Sequence, residues 1–388
     1  MSNTRYNPNG DFKPEALLAS SRLRGIAVGM NIVCKVASVL PEEERRAMIW
    51  LANYATLIGI TADALSERLD LDKAEIRAAL TDPEADRTRF VRQVVGLRES
   101  FEARLDLQHR AEGNPFRPGT TFFAAYGKLA DTKVSRKVRN SVRFADRSAQ
   151  IIEIIGKTRM GKSVSAAHQF FRMLDRAIWV HTPKQGTERD FVSEIARSCG
   201  ISVGTAEKVF RIAPRIEACL GPNLIRVIFF DEAHRLWPTD LRQAPSRIEW
   251  IRDRWETKGV SSVVLATPQY VEAFCGAFEN NPRWAPGQWD GRVQRAHMDD
   301  TMSEADLDAV ARHHLPGASE AIIVALVSQA KASEGFCGAM VKAIERAAFI
   351  AEVEGGSIDI DKILRAQAEL ARGARIATLK TSKRGSRR

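Results

Sequence analysis

The sequence has no run of 18 uncharged apolar residues, so no segment is read as a membrane-spanning helix. Its polar start, MSNTRYNPNGDFKPE, has no apolar stretch of the kind a secretory leader needs, and residues 1–14 are expected to be a disordered lead. No Cys-x-x-Cys spacing occurs. Cys34, Cys199, Cys219, Cys275 and Cys337 stand singly, which argues against zinc, and their odd number argues against a disulfide framework. Small buried thiols in a reduced cytoplasm are expected instead. No repeat of 20–50 residues recurs, which excludes solenoid and propeller architectures.

What is present is ordinary in bulk. Apolar residues make up 44% and charged residues 27% of 388 positions, which suits a soluble chain of two or three domains. Lys and Arg number 58 and Asp and Glu 48, a net charge of +10. Such an excess favours polyanions through counterion release, with plain solubility as the other reading, so the distribution of charge has to decide.

The patterning changes along the chain. Residues 15–111 carry apolar residues at helical spacing, with a helix start at Pro41-Glu42-Glu43-Glu44. Within them, residues 60–80 have the size of a helix-turn-helix. Thr61 would cap the first helix with Ala64, Leu65 and Leu69 inward, and Ile76 and Leu80 would face in from the second. Acids at Asp72 and Glu75 weaken that second helix as a reader of DNA, and a helical interaction domain is the alternative. Residues 112–121 (EGNPFRPGTT) read as a linker. Residues 122–148 read as one helix leading into an α/β core that ends near 300. There, apolar strands at Ile151–Ile155, Ala177–His181, Leu224–Phe230 and Ser262–Ala266 alternate with helices, which predicts a parallel sheet covered on both faces. Residues 301–371 are helical again. The tail 372–388 holds seven basic residues and no acid, and is expected to be unstructured.

The chemistry concentrates in the α/β core. Gly156-Lys157-Thr158-Arg159-Met160-Gly161-Lys162-Ser163 matches the P-loop pattern and sits between an apolar strand and a helix. That context lets loop amides and a helix N-terminus face phosphates. Lys162 should reach the β/γ-phosphates of ATP and Ser163 should ligate Mg2+. Asp231-Glu232, 69 residues after Lys162, ends an apolar strand. Asp231 would hold the Mg2+ and Glu232 would activate water. Thr267, at the tip of the strand Val264-Leu265-Ala266, is a candidate γ-phosphate or water ligand. Arg292 or Arg295 could reach a neighbouring subunit's nucleotide.

P-loop, Asp-Glu-Ala-His, Ala-Thr-Pro, Gly-Arg-Val-Gln-Arg and then Ser-Glu-Ala-Asp-Leu form an order that resembles an AAA+ ATPase with a helical lid. More narrowly it resembles the DNA-transposition regulators of the Mu B, TnsC and TniB type. Trp179-Val-His-Thr-Pro183, Glu188-Arg-Asp-Phe-Val192 and Ile195-Ala-Arg-Ser-Cys-Gly200 are similar to the segments that follow their P-loop. An N-terminal helix-turn-helix fits the Mu B type. The resemblance covers about residues 122–352. It implies self-assembly into a helical filament on double-stranded DNA, recruitment of a transposase, and disassembly on ATP hydrolysis. It also matches Lys184 and Arg189 to a region that meets the DNA backbone. A departure stands in the lid, where Gly335-Phe336-Cys337-Gly338 has glycine at a position that often carries arginine. A replication loader or a nucleotide-switched protein-interaction module is the alternative function.

Overall fold

The structure, a computed structural model, describes residues 28–107, 114–184, 187–281, 284–333 and 336–385. Among the described residues the first helices are α1 (Met30–Ala37), α2 (Glu42–Ile58), α3 (Ala62–Leu69), α4 (Lys73–Thr81) and α5 (Thr88–Leu105). Next come α6 (Thr121–Ala125), α7 (Lys133–Ser148), β1 (Ile151–Ile155), α8 (Lys162–Phe171) and β2 (Ala177–His181). The core continues through α9 (Glu188–Ser198), α10 (Val209–Glu217), β3 (Val227–Asp231), a short 3-10 turn (Ala233–Leu236), α11 (Ser246–Lys258) and β4 (Ser261–Ala266). It closes with α12 (Pro268–Asn280), α13 (Pro286–Asp290) and β5 (Val293–His297). Four helices follow: α14 (Glu304–His314), α15 (Glu320–Ala332), α16 (Phe336–Glu354) and α17 (Ile360–Gly385).

The strands form one five-stranded parallel sheet in the order β2-β3-β4-β1-β5, with Ile151 opposite Val293 and Ile155 opposite His297. β1, β3 and β4 are buried along their whole length, as continuous apolar runs covered on both faces must be. After β1 the chain passes over two strands to reach β2, returns through β3 and β4, and then passes β1 to add β5. Connections therefore leave the neighbourhood of β1 in opposite directions, the arrangement that opens a crevice at the carboxyl ends of the strands.

The residues group into two compact units. One comprises Met1–Ala103, Phe170–Phe230 and Ser246–Ser262. Its helix α2 begins with three glutamates at the positive end of the dipole and stops at Gly59, whose φ of 69° ends the helix. Trp50 stacks on Tyr54 at 4.8 Å and meets Phe101 of α5 edge-on at 6.1 Å. Asn53, buried in the same helix, donates to the carbonyls of Leu174 and Ala177 at 2.6 and 3.1 Å. Thr61 caps α3 through the Ala64 amide, and Asp72 caps α4 through the Glu75 amide. Leu65, Leu69, Ile76 and Leu80 are buried as expected, but Ala62 rather than Ala64 completes the inward face.

The other unit comprises Arg104–Gln169, Asp231–Pro245 and Val263–Arg388. Three expectations change here. The helix read over 122–148 is two helices, α6 and α7, and Gly127 lies between them at φ 133°. Part of the stretch read as a linker is packed: Phe116 is buried and lies 5.6–5.7 Å from the rings of Tyr126 and Phe122. Beyond Arg372 the chain continues as α17 to Gly385, because Ala, Leu, Lys and Arg are good helix formers whatever their net charge. Of the free cysteines, Cys34, Cys199, Cys219 and Cys337 are buried, whereas Cys275 on α12 is exposed.

Candidate nucleotide site

The P-loop leaves β1 at Gly156, whose amide donates to the Ala266 carbonyl of β4 at 3.2 Å. Two residues of the loop take left-handed backbone angles, Arg159 at φ 61° and Gly161 at φ 87°. Glycine adopts that conformation freely; arginine does so only against strain, which the loop must hold in place. Lys162 opens α8 and is buried. Its ammonium donates to the carbonyls of Gly156 and Lys157, both at 2.6 Å. Burial pushes the Lys162 pKa down to about 8, against the pull of Asp231 and Glu232.

Ser163 follows on α8, and its hydroxyl donates to Asp231 Oδ1 at 3.0 Å. The same carboxylate oxygen accepts the Glu232 amide at 3.0 Å. Asp231 is buried at the end of β3, so the hydroxyl and carboxylate that a P-loop domain uses for a hard cation already face each other. Glu232 has left-handed angles (φ 55°, ψ 42°). Its side chain is half exposed, 3.5 Å from His234 Nδ1. Thr267 follows β4, the strand between β1 and β3, and its hydroxyl oxygen is buried with no hydrogen-bond partner. A buried hydroxyl without a partner is costly unless a ligand or water completes it. Lys162, Ser163 and Asp231 are thus neighbours, and Thr267 follows the strand that lies between theirs in the sheet. Lys157, Thr158 and Arg159 are exposed on the loop and Met160 is buried beneath it.

The arginines read as reaching a neighbour differ from each other. Arg295 on β5 donates to Glu153 Oε2 at 2.8 Å and to Asp290 Oδ1 at 2.5 Å, and lies 5.2 Å over the Phe274 ring. Those partners hold it within its own chain. Arg292 donates to the Gln288 carbonyl, one turn back along α13. Elsewhere, Arg189 donates to the carbonyls of Glu207 and Gly204 at 2.9 and 3.0 Å and so braces that loop, while Lys184 is exposed.

Two groups were missed in the sequence. Glu153 interrupts the apolar strand β1 and is fully buried. It accepts from Tyr270 Oη at 2.6 Å and Trp289 Nε1 at 3.0 Å as well as from Arg295. A lone acid in the strand Ile-Ile-Glu-Ile-Ile was the available signal, since a buried charge demands partners. The second is the start of α16, which meets the P-loop. Cys337 Sγ donates to the Arg159 carbonyl at 2.9 Å, and the Gly338 amide approaches the same oxygen at 3.3 Å.

A family profile described as an AAA domain matches residues 145–274. With the strand order and the P-loop geometry, it defines an AAA-type P-loop NTPase domain in this chain, one built to bind nucleotide. Among solved structures, the chain is similar to the RuvB Holliday junction branch migration motor of Thermotoga maritima. That likeness has 14% identity and a TM-score of 0.37, over 61% of this chain and 68% of the other. A Walker-type ATPase of Pyrococcus abyssi is similar at 15% identity and a TM-score of 0.40, over 66% and 77%. At that distance the likeness adds nothing to what the site geometry defines. No curated protein matches the chain. Among the described residues, no helix is long and apolar enough to cross a membrane.

Proposed function

We propose that this chain is an ATP-dependent regulator of DNA transposition, one that assembles on target duplex DNA, recruits a transposase and is released when it hydrolyses ATP. The observation that supports the nucleotide half of this reading is the paired Ser163 hydroxyl and Asp231 carboxylate beside Lys162, with the unsatisfied Thr267 hydroxyl between the two strand ends. The transposition half rests on the sequence resemblance over residues 122–352.

The donor set suits a magnesium triphosphate. Ser163 and Asp231 would hold the ion, and Lys162 would exchange its two loop carbonyls for the outer phosphates. ATP with its ion supplies the transferable phosphoryl group and neutralises its charge. Glu232, released from His234, would orient a water and accept its proton. Thr267 would donate to the γ-phosphate or to that water. Of the two arginines, Arg292 is the better candidate to act on a neighbouring subunit, because Glu153 and Asp290 engage Arg295. Lys184 is the better of the two cations for DNA, because Arg189 lies on α9 and donates to carbonyls of its own chain.

Negative-stain electron microscopy tests the assembly directly. Purified protein with duplex DNA and magnesium is expected to form regular filaments with ATP or a slowly hydrolysed analogue, and none with ADP. Lys162→Ala should abolish the filaments and Glu232→Gln should make them persist. Compact particles indifferent to DNA and nucleotide would overturn this reading.

A further inference from the structure

Helix α7 stands outside the nucleotide site and has no role assigned to it. Its 16 residues carry six cations (Lys133, Arg136, Lys137, Arg139, Arg143, Arg147) and one acid, Asp146. Val134, Val138, Val142 and Ala145 are buried along one side, so the packing fixes which face is presented to solvent. At 100° per residue, Arg136, Arg143 and Arg147 fall within roughly 40° of one another, opposite the valines, and Arg139 lies beside them. The helix is also held rigidly at its start. Thr132 and Ser135 form a reciprocal cap, and the Lys133 amide donates to Asp306 Oδ1 at 2.8 Å.

The cations on this face are not all spent within the chain. Arg136 pairs with Asp131 at 2.8 Å, and Lys137 donates to the His297 carbonyl. Arg139, Arg143 and Arg147 form no ion pair or hydrogen bond among the described residues. Helix α4 contrasts with this: Lys73 pairs with Asp63, and Arg89 of α5 pairs with Asp70 and Glu75. Surfaces that only need solubility mix their signs. A ridge on which Arg139, Arg143 and Arg147 have no ion-pair partner among the described residues, with Asp131 engaged by Arg136, is a field suited to a polyanion.

The spacing narrows the polyanion. Arg139, Arg143 and Arg147 recur every four residues, a rise of about 6 Å per step. Every second phosphate along one strand of a duplex advances about 7 Å along its axis. Three successive arginines can therefore each meet a phosphate without the helix bending. Phe144, 41% exposed beside the ridge, adds an apolar surface of the kind a sugar edge can cover. We propose that the exposed face of α7 is a docking surface for the phosphate backbone of duplex DNA, binding with little sequence preference through Arg139, Arg143 and Arg147. The inference rests on the DNA-binding reading above and assigns it a surface.

The test uses full-length protein, a labelled duplex of random sequence, a slowly hydrolysed ATP analogue and a series of salt concentrations. The variant is Arg139→Ala/Arg143→Ala/Arg147→Ala, in which alanine favours the helix and the buried valines are untouched. Binding of a fluorescent nucleotide reports that the variant is folded. Each lost phosphate contact should lower the slope of log K against log salt by about 0.9, so roughly 2.7 for three, with at least a tenfold loss of affinity at about 0.1 M salt. Wild-type binding to duplex with a variant of unchanged slope and affinity would overturn the α7 surface alone. Failure of the wild-type protein to bind duplex at all would overturn the DNA-binding reading, and this inference with it.

Discussion

At the scale of single residues, the most informative side chain is Thr267. Its hydroxyl is buried without a partner, so the folded, ligand-free chain gains nothing from it. Thr267→Val should leave thermal stability unchanged or slightly raised, since it removes an unsatisfied polar group. The same change should lower ATP turnover on the order of 10²-fold while nucleotide affinity stays within a few-fold, if the hydroxyl acts in the transition state. A melting curve and a steady-state phosphate-release assay on one preparation decide it; a destabilised variant with normal turnover would mean the hydroxyl is structural. The P-loop was legible because it is contiguous and its strand–loop–helix setting is local. Glu153 and its partners were not. Tyr270, Trp289 and Arg295 are more than a hundred residues away in sequence, and only the closed sheet brings them to one carboxylate. For the same reason Arg295 read as available when its partners are in its own chain.

At the scale of elements, strands β1 to β4 were visible as apolar runs because both faces of each are covered. β3 begins at Val227 rather than Leu224 and includes Asp231, which places that carboxylate in the strand itself. β5 was not read as a strand. Val293-Gln-Arg-Ala-His297 is mostly exposed at the edge of the sheet, and only its parallel pairing with β1 makes it one. The contact between α16 and the P-loop was also invisible, and its physical basis is steric. A Cβ at position 338 would lie 2.8 Å from Arg159 Cβ and 3.1 Å from its Cγ, too close for either helix or loop to keep its place. Gly338→Ala should push α16 off the loop, at a cost of about 1–3 kcal/mol. In a Cys275→Ser background, which removes the exposed thiol, Cys337 should then become reactive to a maleimide in the native protein. Adding Arg159→Gly should restore its protection, because the obstructing side chain is gone and glycine accepts the left-handed angles at that position. Unchanged protection of Cys337 in the single variant would show that the contact does not close the loop.

At the scale of the whole molecule, the open question is whether one subunit's site is complete. Among the described residues, Arg235 lies 3.9 Å from Glu232 and Arg159 is exposed on the P-loop. A heterologous, head-to-tail assembly would let each subunit present Arg292 to the next, and such contacts propagate as rings or filaments. Mixing distinguishes this from action within one chain. Arg292→Ala subunits keep Glu232, and Glu232→Gln subunits keep Arg292, so each preparation alone should hydrolyse ATP poorly. Mixed in equal amounts on DNA, random neighbours place an intact Arg292 against an intact Glu232 at about a quarter of the interfaces. Turnover should recover to about that fraction of the wild-type rate, and the recovery should vanish on dilution below the assembly threshold. If mixing restores nothing, Arg292 does not act across the interface, and the assembly would then serve to grip DNA rather than to complete the catalytic site.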